Sequence, residues 1–259
     1  MLKLLHHYTI KQWQKINKEY IDKDLQNRID SRAIIVFLLF TFVLVSLKYF
    51  GKSPTFYQLF GNYFQVYPYP GIYSNLYWAF FRVCVYFIIP VMVIKCMFKE
   101  NIRDYGFRTN RSPRVMLLYV VMFVAVFPLV YIASKDPGFL RTYPFYKHAA
   151  NTWTELVLWE SAYALQFLTL EFFFRGFILF SFSRYIGAYS ILLMSVPYTM
   201  IHFQKPFPET LGAIIAGMFL GTLALRTRSI FGGVIIHVAV AWSMDITAMF
   251  QKGQLQRLF

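Results

Sequence analysis

The sequence is poor in the groups that soluble chemistry usually draws on. It has two cysteines, Cys84 and Cys96, in 259 residues. They share one apolar block, and on a helix their separation is about 18 Å. They cannot pair with each other there, and no Cys-based zinc site can be built from them. Charge is scarce as well. Only 15% of residues are charged, against about 25% in a soluble globular chain. Just 12 residues are acidic. No His-Glu-x-x-His helix is present, which removes the commonest metalloprotease signature. The first 32 residues lack the charge–apolar–small layout of a cleaved signal peptide. No internal repeat relates the two halves, as the inverted repeats of a transporter would.

What the sequence has is hydrophobicity: 58% apolar and 20% aromatic residues, in blocks near the roughly 20 residues that cross a hydrocarbon core of about 30 Å. This predicts an all-α, polytopic transmembrane helical bundle of about seven to eight spans. The spans are expected near 33–49, 78–98, 115–133, 155–182, 186–203, 209–225 and 230–250. The expected organisation is a basic N-terminal segment over 1–32, N-terminal transmembrane helices with an aromatic loop over 33–152, a catalytic transmembrane core over 153–250 and a tail over 251–259.

The periodicity of Leu4, Leu5, Ile10, Trp13, Ile16, Tyr20 and Ile21 allows a helix lying on the membrane surface, with a solvated helical tail as the alternative. The connection 51–77 contains Tyr67-Pro68-Tyr69-Pro70-Gly71. Consecutive X-Pro units resist a helix, so an interfacial anchor or a cap-like loop is expected.

The net charge of +14 sits mainly in the N-terminal segment and the connections, where it suits anionic lipid head groups. No basic face interleaved with aromatics suggests nucleic acid as a partner. The positive-inside rule puts the N-terminus in the cytoplasm, and the expected location is a bacterial inner membrane.

Against this apolar background a few polar residues stand out. Burying a charge in a membrane costs about 2.5–3.5 kcal/mol on insertion scales, so such residues point to function. Glu171 lies in Leu170-Glu171-Phe172-Phe173-Phe174-Arg175-Gly176, and Arg175, four residues on, shares its helix face. An orienting ion pair is the plain alternative, although such pairs are often replaceable by apolar residues. Glu160, nearer the interface, reads as a helix-end anchor. His202 follows Tyr198 by one turn. Glu209 opens the next helix, where it suits the helix dipole or orients His202. His237 lies in the last span, with Ala241 and Asp245 one and two turns further on. Gly212, Gly217, Gly221, Gly232 and Gly233 read as helix-packing positions.

One Glu and two His from three helices admit two chemistries. Glu171, His202 and His237 suit a zinc site with an open position for water. Without a metal, Glu171 serves as general base while the imidazoles donate to the oxyanion. The cofactor is therefore none, or a single divalent metal such as zinc.

At these residues the sequence resembles the CPBP or Abi family of intramembrane proteases, which includes CAAX prenyl endopeptidases and bacteriocin-processing proteins. Its motifs are Glu-Glu-x-x-x-Arg, Phe-x-x-x-His and His-x-x-x-Asn. Leu170 to Arg175 resembles the first, Tyr198 to His202 the second and His237 the third. Leu170 replaces the first Glu, the family's usual base, and Ala241 replaces the Asn. The resemblance implies an intramembrane endopeptidase acting on a membrane-associated peptide or protein. Catalysis falls to Glu171, His202 and His237, with Arg175, Tyr198, Glu209 and Asp245 in support. A catalytically silent relative that binds or scaffolds is the alternative, and a small transporter a weaker one.

Overall fold

The computed structural model describes residues 2–25, 29–110 and 112–259. Arg28, Arg111 and the side chains of residues 2–8, among them Leu4 and Leu5, lie outside the described residues. Ten helices are present among the described residues: α1 (Leu2–Tyr20), α2 (Ser31–Tyr49), α3 (Ser53–Phe64), α4 (Pro70–Met97), α5 (Pro113–Ala133), α6 (Pro137–Thr142), α7 (Trp153–Ile186), α8 (Tyr189–Met200), α9 (Phe207–Thr227) and α10 (Phe231–Gln251). No strand is described, so the all-α reading holds.

Six of these helices, α2, α4, α5, α7, α9 and α10, are long and apolar enough to cross a membrane. The expected fifth span is shorter than its hydropathy suggested. α8 has 12 residues, about 18 Å against a core of about 30 Å. Gly187 at positive φ starts it late, and it ends in hydrogen-bonded turns over 201–205. The aromatic connection is also corrected, since α3 and the first turns of α4 occupy most of it. Pro54 and Pro70 stand in the first turns of these helices, where a missing N–H is harmless. The break is confined to residues 65–69.

The chain forms two compact units. The first comprises Met1–Leu44, Ile89–Asn110 and Glu171–Gly233, the second Val45–Ile88, Arg111–Leu170 and Val234–Phe259. In the first unit, α1 is docked on protein. Ile16 is fully buried, Trp13 Nε1 donates to Thr222 Oγ1 at 3.2 Å and Tyr20 O–H to the Leu225 carbonyl at 2.7 Å. The Asp22 N–H meets the Arg184 carbonyl at 2.8 Å. The end of α1 therefore ties the end of α7 to the end of α9, and Arg184, Arg226 and Arg228 gather at one end of the unit. α8 and α9 form a tight hairpin. Gly217 faces Ser195 and Tyr198, and Gly221 faces Ile191 and Met194. Gly212 faces open space, so the packing role expected of it does not hold.

In the second unit the core is aromatic. Trp159, Tyr163 and Phe167 recur every four residues along α7, so Trp159 and Tyr163 stack at 4.8 Å and the Phe167 ring packs tilted on Tyr163 at 4.7 Å. Phe145 lies parallel to Trp159, and Trp78 packs on both. Arg82 stacks on Trp78 and donates to the carbonyls of Gly51 and Trp78 at 3.2 and 3.1 Å. α5 turns Leu117, Val121, Val124 and Ile132 outward, as a helix facing lipid should.

Candidate active site

The polar residues of the first unit are built on the middle of α7. Glu171 and Arg175 are both fully buried and form an ion pair. Just after Glu171 the helix widens, with π-type hydrogen bonding over Phe172–Ile178. Such widened turns are rare and recur at functional sites. Four fully buried phenylalanines, Phe172, Phe173, Phe174 and Phe177, hold the segment in place. Gly176 lets it press against the Tyr105 backbone, since a Cβ there would stand 2.8 Å from that carbonyl oxygen.

From this pair the contacts lead on to His202. The Arg175 guanidinium lies 4.5 Å from the Tyr198 ring centroid. Tyr198 is itself buried and meets Phe174 edge-on. The His202 ring sits 4.8 Å from that of Tyr198, and its Nδ1 lies 2.8 Å from the Tyr198 carbonyl oxygen. A carbonyl only accepts, so Nδ1 carries the proton and a neutral His202 keeps its lone pair on Nε2. The turn is fixed from the other side by Thr210, whose hydroxyl donates to the His202 carbonyl at 2.8 Å. Glu209 lies in the first turn of α9 and pairs with Lys205 at 3.9 Å.

His237 and Asp245 are described within the second unit. His237 is half-buried, its ring 4.3 Å from that of Phe167. Asp245 is fully buried. Its Oδ1 accepts from the Phe145 N–H at 2.9 Å and its Oδ2 from Trp159 Nε1 at 2.8 Å. It thus ties the connection before α7 to α10. Glu160, expected as a helix-end anchor, lies in the third turn of α7. Both its carboxyl oxygens are shielded, with no hydrogen-bond partner among the described residues. The Trp242 indole donates to its carbonyl at 3.2 Å and holds α10 against α7 there. Among the described residues, no group of three or more His, Cys, Asp or Glu side chains is arranged to hold a metal ion.

Two features escaped the sequence reading. One is the widened turn of α7. The other is Gly233, which faces the Glu171 carboxylate so closely that a Cβ would stand 3.2 Å from its Cδ. The available signal was the Gly-Gly pair just before His237. The stacked rings of α7 were legible in principle, since Trp159, Tyr163, Phe167, Glu171 and Arg175 all recur at a spacing of four.

Residues 152–243 match the profile of the family described as type II CAAX prenyl endopeptidase Rce1-like. No curated protein and no solved structure matches the chain. The matched stretch carries Glu171, Arg175, Tyr198, His202, Glu209 and His237, and ends before Asp245. Over residues 152–243 the chain is thus similar to the type II CAAX prenyl endopeptidase Rce1-like family.

Proposed function

We propose that the chain is an intramembrane endopeptidase that hydrolyses a peptide bond in a membrane-associated peptide or protein, in maturation, sorting-signal removal or CAAX-like processing. The observation that carries this reading is the fully buried Glu171–Arg175 pair at the head of a widened turn, inside the family-matched stretch. A chain that only had to cross a bilayer would not hold a carboxylate there.

Glu171 takes the proton of the attacking water. Arg175 holds the carboxylate in place and balances its charge. His202, with Nδ1–H bound to the Tyr198 carbonyl, presents Nε2. As neutral imidazole it accepts a hydrogen bond from the water. The proton that Glu171 has taken then passes to the leaving amine as the C–N bond breaks. Tyr198 and Glu209 keep His202 in place; His237 is the remaining proposed catalytic residue, and Asp245 braces the helix that carries it. The protein resides in a bacterial inner membrane with its N-terminus in the cytoplasm, and its partners are lipids and the peptide substrate.

The test compares membrane-protein termini by mass spectrometry in cells carrying the wild type or Glu171→Gln. Termini that vanish only in the variant identify the substrate and the base. Identical termini, with the variant expressed and inserted at the normal level, sink the reading.

A further inference from the structure

We propose that Gly233 is a positioning residue for Glu171: the missing side chain at this one place lets the carboxylate stand against the backbone of α10. The inference rests on the reading of Glu171 as the base.

Gly233 is the third residue of α10. An ideal Cβ there would fall well inside contact distance of Glu171 Oε2, 3.2 Å from Cδ and 3.9 Å from the Arg175 Cδ. The end of a surface glutamate would simply swing away from an added methyl. Glu171 has no such freedom. It is fully buried, Arg175 grips its Oε1, and its own helix is packed by four buried phenylalanines. The first turn of a helix is also where a carboxylate is favoured electrostatically, because its N–H groups have no acceptor within the helix and the dipole's positive end lies there. Arg175 and the first turn of α10 therefore hold the carboxylate from two directions.

The experiment is a double-mutant cycle on the full-length protein in detergent and in cells, using Gly233→Ala, Glu171→Asp and both together. Aspartate is one methylene shorter and withdraws its carboxylate from the added methyl. We expect Gly233→Ala alone to lower kcat by about 100-fold with little change in KM, the scale that about 1 Å of misplacement produces. In the aspartate background the same change should lower it at most a few-fold. The same asymmetry is expected in the melting temperature, which Gly233→Ala lowers more in the wild type than in Glu171→Asp. Additive effects in the melting temperature would overturn the proposed placement. A KM rise at unchanged kcat would overturn the positioning role. Coupling in stability, with no cleavage by the wild type, would leave the placement standing and bring down the protease reading instead.

Discussion

Removing one member of a buried ion pair strands the other charge. Glu171 and Arg175 are both fully buried, so Arg175→Met should lower stability by about 3–5 kcal/mol. Glu171→Gln combined with Arg175→Met should recover most of that, because replacing both charges of such a pair is often near neutral. Thermal unfolding in detergent checks both. A single variant that melts with the wild type would mean that the pair is not shielded. This pair was legible because a spacing of four on a helix is local geometry. The approach of Gly233 to Glu171 was not, since 62 positions separate them and only the fold brings them together. The hydrogen bond that fixes the His202 tautomer was hidden for a different reason: its acceptor is a backbone carbonyl, which no residue type announces.

Helices were easier to read than their ends. α2, α5, α9 and α10 lie within a few residues of the expected spans, because hydropathy and length decide them. α3 was missed because Pro68 and Pro70 were read as keeping the whole connection 51–77 out of helix, although they lie beyond Ser53–Phe64 and Pro54 stands where proline is tolerated. The widening within α7 has no reliable sequence signal. The glycines of α9 show how much depends on the facing element. Gly212 meets nothing within 4 Å, so Gly212→Ala should be neutral or stabilise by about 0.5–1 kcal/mol through helix propensity. A Cβ added at Gly217 would stand 2.9 Å from Ser195 Oγ, and that hydroxyl donates to the Ile191 carbonyl at 2.8 Å. Gly217→Ala should therefore destabilise by about 1–3 kcal/mol through overpacking. Melting temperatures of the two variants in detergent should move in opposite directions or differ clearly. Equal losses would remove the distinction.

For the molecule as a whole, composition settled the class, an integral membrane protein with six helices long and apolar enough to span a bilayer among the described residues. Scarce charges then carry unusual weight. Glu100 receives Arg32 at 2.5 Å, the Tyr105 hydroxyl at 2.5 Å and Arg184 at 3.3 Å. Burial pushes its carboxyl up, but the Tyr105 hydroxyl and the two guanidiniums outweigh burial and hold it below the usual range. The Tyr185 hydroxyl does the same for Asp30. A carboxyl with a lowered folded-state pKa adds stability above its unfolded pKa of about 4, and that stability disappears as the pH falls through the folded value. The melting temperature in detergent should thus hold steady near neutrality and fall below about pH 4, with a smaller fall in Glu100→Gln. An identical acid profile for the variant would show that Glu100 is not responsible. The shortness of α8 has its own consequence. Its first residue lies near the end marked by Arg184, Arg226 and Arg228, and twelve residues later the chain has climbed only about 18 Å. The turn carrying His202, Lys205 and Glu209 thus follows a helix about 10 Å shorter than a hydrocarbon core is thick, with Phe203 and Phe207 exposed around it. Lipid tails would offer the backbone of such a turn no hydrogen bonds. A helix of full spanning length would have carried those three side chains about eight residues further from the arginine-marked end.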